Sequence, residues 1–259
     1  MKENKGEVHN PSQEVINNAN IKNWDELDKK AKKDYPGFWS SIAEELHWFK
    51  KWDKVIDDTD KPFYKWFTGA KTNIVYNCLD THVKTFRRNK LALIWEGENG
   101  ESKTFSYFAL LRETCKFANI LKSLGVNRGD RVTIYMGRTP EIIMAMLACA
   151  RIGAIHSVVY GGFSVESLAE RIEDSNSKVL IVSDGAYQRG KVIPLKQIAD
   201  EALQRCGTVE HVLVVKRTGQ QVNMEQGRDM WLHELMNLPI ATMNCALEVM
   251  DAEDPLFIL

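Results

Sequence analysis

Two short turns carry the residues of this chain best suited to chemistry: Tyr160-Gly161-Gly162 and Gln188-Arg189-Gly190-Lys191. A glycine pair lets the backbone turn sharply and lets a ligand approach the main chain closely. The second turn carries two cations, Arg189 and Lys191, beside the amide of Gln188. Cations next to a close-approach turn suit a phosphate-bearing ligand. A solvated surface loop beside a packing turn accounts for the same residues, and composition alone leaves both readings open.

A third reading of the second turn is set aside. Gly185 to Lys191 has the spacing G-x-x-x-x-G-K of a nucleotide triphosphatase phosphate loop. Val192 follows where that motif needs Ser or Thr to hold magnesium. Tyr187, Gln188 and Arg189 crowd the loop interior, and Pro194 disfavours the uninterrupted helix that the motif requires.

The elements that must position these turns follow from hydrophobic periodicity. Ile155, Val158, Val159 and Tyr160 belong to a buried strand over 154–160. Ser164 caps the next helix, in which Leu168, Arg171 and Ile172 recur at helical spacing. Lys178 to Asp184 is a second buried strand, and Asp184, Gly185 and Gly190 frame the basic loop. Pro194 fixes the backbone ahead of a helix over Leu195–Leu203.

Upstream, Val132–Met136 is a strand. Thr139 is expected to cap a helix that has Pro140 and Glu141 in its first turn and runs to about Ile152. Further strands are expected at 209–215 and 255–259. Strands alternating with helices predict an α/β fold, a mostly parallel sheet with helices on both faces.

Ahead of this core, Asn73 to His82 reads as a helix. Leu91–Trp95 and Lys103–Ser106 read as a hairpin closed by Glu98-Asn99-Gly100, and Phe108 to Leu124 as a helix. Residues 1–20 are a polar, mobile lead. Trp24, Trp39, Trp48, Trp52 and Trp66 are expected to clamp the segment 21–90 onto a larger body.

Composition excludes several functions. The 259 residues are 44% hydrophobic and 27% charged with a net charge of −1, so no strong field favours nucleic acid or an anionic membrane. No apolar run approaches the ~18 residues of a membrane span. The five cysteines lack C-x-x-C spacing and the six histidines lack i,i+4 pairing, which argues against a disulfide framework and against a metal site. Cys149 is expected to be a buried thiol, and His156 and His211 to be hydrogen-bonded structural residues. The N-terminus has no apolar signal core, and a reduced, cytoplasmic setting is expected.

YGGFSVESLAERIEDS, DGAYQRGKVIPLK and AEDPLFIL together resemble the AMP-forming acetate–CoA ligases, members of the adenylate-forming superfamily. FWSSIAEELHWFKKWDKVID and KPFYKWFTGAKTNIVYNCLDTHV resemble the N-terminal segment of that family, and the stretch from Leu93 to Val132 resembles the entry to its nucleotide domain. The resemblance runs from about Trp39 to Leu259. It implies an incomplete N-terminal domain of an adenylate-forming enzyme: an N-terminal helical and loop segment over 21–90, then an AMP-binding α/β domain over 91–259 that stops short of the phosphate loop.

The same resemblance implies part of a coenzyme A site at Tyr160, Gly161, Gly162, Gln188, Arg189, Gly190, Lys191, Ile193 and Pro194. Members often carry an arginine near the position of Gln188, so weaker phosphate affinity is expected here. ATP and magnesium, which the family uses with acetate, are implied to bind beyond Leu259. No catalytic or metal-ligating residue is therefore assigned. The chain alone is expected to be inactive, as an N-terminal piece of the ligase. Alternatives are a non-catalytic half that pairs with a complementary C-terminal chain, or a nonfunctional remnant. The apolar strand 255–259 is expected to leave a sticky edge.

Overall fold

A computed structural model describes residues 9–259; residues 1–8 of the polar lead lie outside the described residues. The rest of that lead is not irregular. It holds a short helix, α1 (Gln13–Asn18), capped by Ser12 and burying nothing. Helices α2 (Trp24–Lys33) and α3 (Tyr35–Ala43) follow, capped by the Asn23 and Asp34 side chains. Next come β1 (Lys54–Asp57) and β2 (Lys65–Thr68), an antiparallel pair, and β3 (Lys71–Thr72). The helix expected over 73–82 is a π-helical turn, Tyr76–Asp80, running into α4 (Thr81–Val83). The hairpin β4 (Leu91–Glu96) and β5 (Ser102–Ser106) forms as expected, and Ser106 caps α5 (Tyr107–Ser123).

The α/β core alternates thereafter: β6 (Arg131–Met136), α6 (Pro140–Arg151), β7 (Ile155–Tyr160), α7 (Val165–Ser175) and β8 (Val179–Ser183). A small antiparallel pair, β9 (Ala186–Gln188) and β10 (Lys191–Ile193), precedes α8 (Leu195–Leu203). Then come β11 (His211–Val215), β12 (Asp229–Trp231), α9 (Leu232–Leu235), β13 (Met250–Asp251) and β14 (Phe257–Ile258).

Six strands form one parallel sheet in the order β12-β11-β8-β6-β7-β14. Period-two alternation divides its side chains between two cores. Val132, Ile134, Val179, Ile181, Leu213 and Val215 pack under α5 and α6, with Phe117, Ile120, Ala145 and Ala148. Tyr135, Leu180, Val182, Val212 and Val214 face α7 and α8, with Leu168, Ile172, Leu195 and Ala199. Each such aliphatic side chain removed from water stabilises the fold by about 1.5–3 kcal/mol. Helices on both faces are thus needed to cover two apolar faces. Cys149 is fully buried in this core, and burial pushes its thiol up to about 12.

The final strand is shorter than expected: only Phe257 and Ile258 join the ladder, beside His156 and Ser157 of β7. No helix among the described residues is long and apolar enough to cross a membrane.

The N-terminal segment is fixed to the core by polar contacts more than by tryptophan. The Asn73 amide donates to the carbonyls of Ala150 (2.9 Å) and Glu248 (2.8 Å), while its oxygen accepts from Val75 N–H (2.8 Å). Arg151 meets Asp80 at 2.9 Å, Lys71 meets Asp251 at 2.9 Å, and β3 pairs with β13. The tryptophans pack chiefly on one another and on neighbouring rings: Trp39 on Trp66 with centroids 6.1 Å apart, and Trp48 on Trp52 at 5.2 Å. Trp24 stays 67% exposed.

Two local expectations fail. Thr139 sits at the N-cap of α6, but its hydroxyl makes no capping bond, because the Ile142 N–H goes to Thr139's own carbonyl (3.2 Å). His156 and His211 each bury an Nδ1 that has no hydrogen-bond partner among the described residues. His156 instead stacks on Phe257, with centroids 5.7 Å apart.

Candidate functional site

Chain order reverses at β6: β7 lies on one side of it and β8 returns to the other. Ligand crevices open outside the carboxyl ends of the strands at such reversals. A cleft of about 690 Å³ lies there, within the usual size of a small-molecule site. Its floor is apolar, with Met136, Ile142 and Val158. Its rim carries Trp95, Glu98, Tyr160, Gln188, Arg189 and Arg217.

The glycine turn is pinned from below. The buried Tyr135 hydroxyl donates to Phe163 O at 3.1 Å, and burial pushes that phenol up to about 12, so it remains a donor. Tyr160, 57% exposed at the end of β7, stands edge-on to Phe163. A Cβ on Gly162 would come 2.4 Å from Cε1 of Tyr160. With glycine there, the chain passes close behind that ring without displacing it.

The basic segment, read from sequence as a loop, is a β-hairpin. Gln188 pairs with Lys191, and the two turn residues, Arg189 (φ 52°) and Gly190 (φ 74°), both take left-handed backbone. Two left-handed residues make the tight turn whose twist matches flanking strands. The same ladder disposes of the phosphate-loop reading, since Lys191 begins a strand and not a helix. Arg189 and Lys191 are exposed, and neither meets a carboxylate among the described residues.

Of the sequence-predicted positions, Tyr160, Gly161, Gln188 and Arg189 line the cleft together. Gly162, Gly190, Lys191, Ile193 and Pro194 flank it without lining it. Sequence reading placed Asp184 at the edge of the basic loop but not the bonds it makes there. Fully buried Asp184 accepts N–H bonds from Gly185 (2.7 Å), Arg217 (2.8 Å), Thr218 (2.9 Å) and Gly219 (2.7 Å). An aspartate at the end of a buried strand was the available signal. Lys196, at the start of α8, is also fully buried. It meets Asp229 at 2.8 Å and Asp200 at 2.5 Å. Burial raises the Asp200 carboxyl; burial also opposes ionisation of Asp229, but bonds from Arg228 and Lys196 bring it below the usual range.

With that geometry in place, residues 79–259 match the family model described as AMP-binding enzyme. The chain belongs to the AMP-binding enzyme family. Residues 24–78 match a second family model, acetyl-coenzyme A synthetase N-terminus. The chain is 49% identical to the acetyl-coenzyme A synthetase of Rubrobacter xylanophilus, over all of this chain and 40% of that protein. It is 48% identical to that of Campylobacter jejuni over the same shares, and 45% identical to that of Chlorobaculum tepidum, over 93% of this chain and 36% of that protein. The chain thus spans about two-fifths of the length of the curated relatives it matches.

Proposed function

We propose that this chain is part of an AMP-forming acetate–CoA ligase and that its own contribution is the binding of the nucleotide end of coenzyme A. In this reading the intact enzyme joins acetate to ATP as acetyl-adenylate, releasing pyrophosphate. The CoA thiol then attacks the acyl carbonyl and displaces AMP. ATP and magnesium are assigned no residue of this chain.

The observation that carries the reading is the meeting of Tyr160 and Gly161 with Gln188 and Arg189 on one cleft at the carboxyl ends of β6, β7 and β8. The donor set fits the ligand. Tyr160 offers an exposed aromatic face for a purine, Arg189 and Lys191 offer cations that meet no carboxylate among the described residues, and the left-handed turn at Gly190 keeps both within one tight bend. Binding energy from this remote nucleotide serves to position the thiol.

Titration calorimetry with CoA and with dephospho-CoA tests the reading. CoA is expected to bind about tenfold more tightly, the increment of one charge-assisted phosphate contact. Arg189→Ala is expected to erase most of that difference. A chain that does not discriminate the two ligands, or binds neither, refutes the proposal.

A further inference from the structure

Arg217 lies just past β11 and joins three segments that are distant in sequence. Its backbone N–H donates to Asp184 (2.8 Å). Its guanidinium lies over two rings, 5.0 Å from the centroid of Trp95 on β4 and 4.9 Å from that of Tyr187 on β9. Its Nη1 meets Glu101 at 2.6 Å, and the side chain is 14% exposed. The ring of Trp95 is held in turn by a bond from its Nε1 to Arg138 O (2.8 Å). Beside this stack, the Glu98 carboxylate accepts the Gly190 N–H at the tip of the basic hairpin.

Arg217's charge is taken up by Glu101, and its guanidinium lies against the rings of Trp95 and Tyr187. It is therefore not a free cation for a ligand, although it lines the cleft. The β9–β10 hairpin has only three residues in each strand, too few to hold a pose unaided. We propose that Arg217 is a positioning residue: a strut that clamps the basic hairpin against the β4–β5 hairpin and so sets the affinity of the cleft for phosphate. A planar guanidinium is needed for both stacks at once; an ammonium can keep the bond to Glu101 but cannot stack. The phosphate half of this inference rests on the CoA reading above; the strut itself does not.

Two measurements on the same chain separate them. Amide hydrogen exchange in Arg217→Ala is expected to rise about tenfold or more across Ala186–Ile193, with β8 and β11 unchanged. The dissociation constant for CoA is expected to rise about tenfold, and that for dephospho-CoA less, with Arg217→Lys in between. Glu101→Gln, which keeps both stacks, gives a smaller shift in the same direction and serves if Arg217→Ala does not fold. Unchanged exchange at the hairpin overturns the strut. Raised exchange with unchanged CoA affinity overturns its link to phosphate binding. Failure of the unsubstituted chain to bind CoA removes the CoA reading and that link with it, and leaves the exchange result to decide the strut.

Discussion

Gln188 donates from Nε2 to the hydroxyl of Tyr160 across 3.2 Å. This bond makes the glycine turn and the basic hairpin one continuous surface, although the two arise on either side of β6. Gln188→Arg breaks the bond but adds a third cation to the hairpin. The charge is expected to dominate, giving a several-fold gain in CoA affinity at low salt that shrinks as ionic strength rises. Calorimetry at two salt concentrations measures it; equal affinity at both would mean that the hairpin does not face phosphate.

Gly162→Ala tests the close approach. The added methyl cannot share space with the Tyr160 ring, so the ring must swing away. Because that ring is exposed and can turn outward, the expected stability loss stays under about 1 kcal/mol. CoA binding falls with it in the double comparison with Tyr160→Ala, where the glycine substitution adds no further loss. Additive losses would place the effect elsewhere than the ring.

The Lys196 network gives a stability prediction. Lys196→Met leaves the fully buried Asp229 carboxylate without its 2.8 Å partner. Urea unfolding is expected to show a loss of about 3–5 kcal/mol, the usual cost of breaking a buried pair from one side. A loss under 1 kcal/mol would mean that the bonds from Arg228 suffice.

His156 gives a pH prediction. Burial holds its imidazole below the ordinary value of 6.5. The unfolded chain therefore binds a proton that the folded chain resists, and stability falls as pH drops through and below 6.5. Thermal melts of wild type and His156→Gln across that interval are expected to diverge on the acid side, with the variant less sensitive. Parallel curves would place the acid sensitivity on other groups.

The nearly unbroken apolar runs of β8 and β11, bounded by glycine and polar turns, made the parallel sheet and its two helical layers legible, because a strand covered on both faces must be apolar on both. The contacts that hold the cleft left little such trace. Asp184 binds backbone N–H groups, which every residue between 217 and 219 possesses. Arg217 finds its rings on Trp95 and Tyr187 only after three segments have folded together. β12 escaped notice because Asp229-Met230-Trp231 carries a buried charge where an outer strand's pattern would be sought. Thr139 failed as a cap although residue type and proline placement were right, since the competing bond is made by its own carbonyl.

The segments that match the two family models meet between Cys78 and Leu79. That seam lies inside the helical turn Tyr76–Asp80, with Leu79 in the core and Asp80 on Arg151. Two of the bonds of Asn73 straddle it, bridging to Ala150 and Glu248 on the far side. The join is a boundary between two family matches and not one of mechanics. Cutting there would not release two modules but would open one body, so a separable nucleotide domain would have to carry residues from the preceding segment with it.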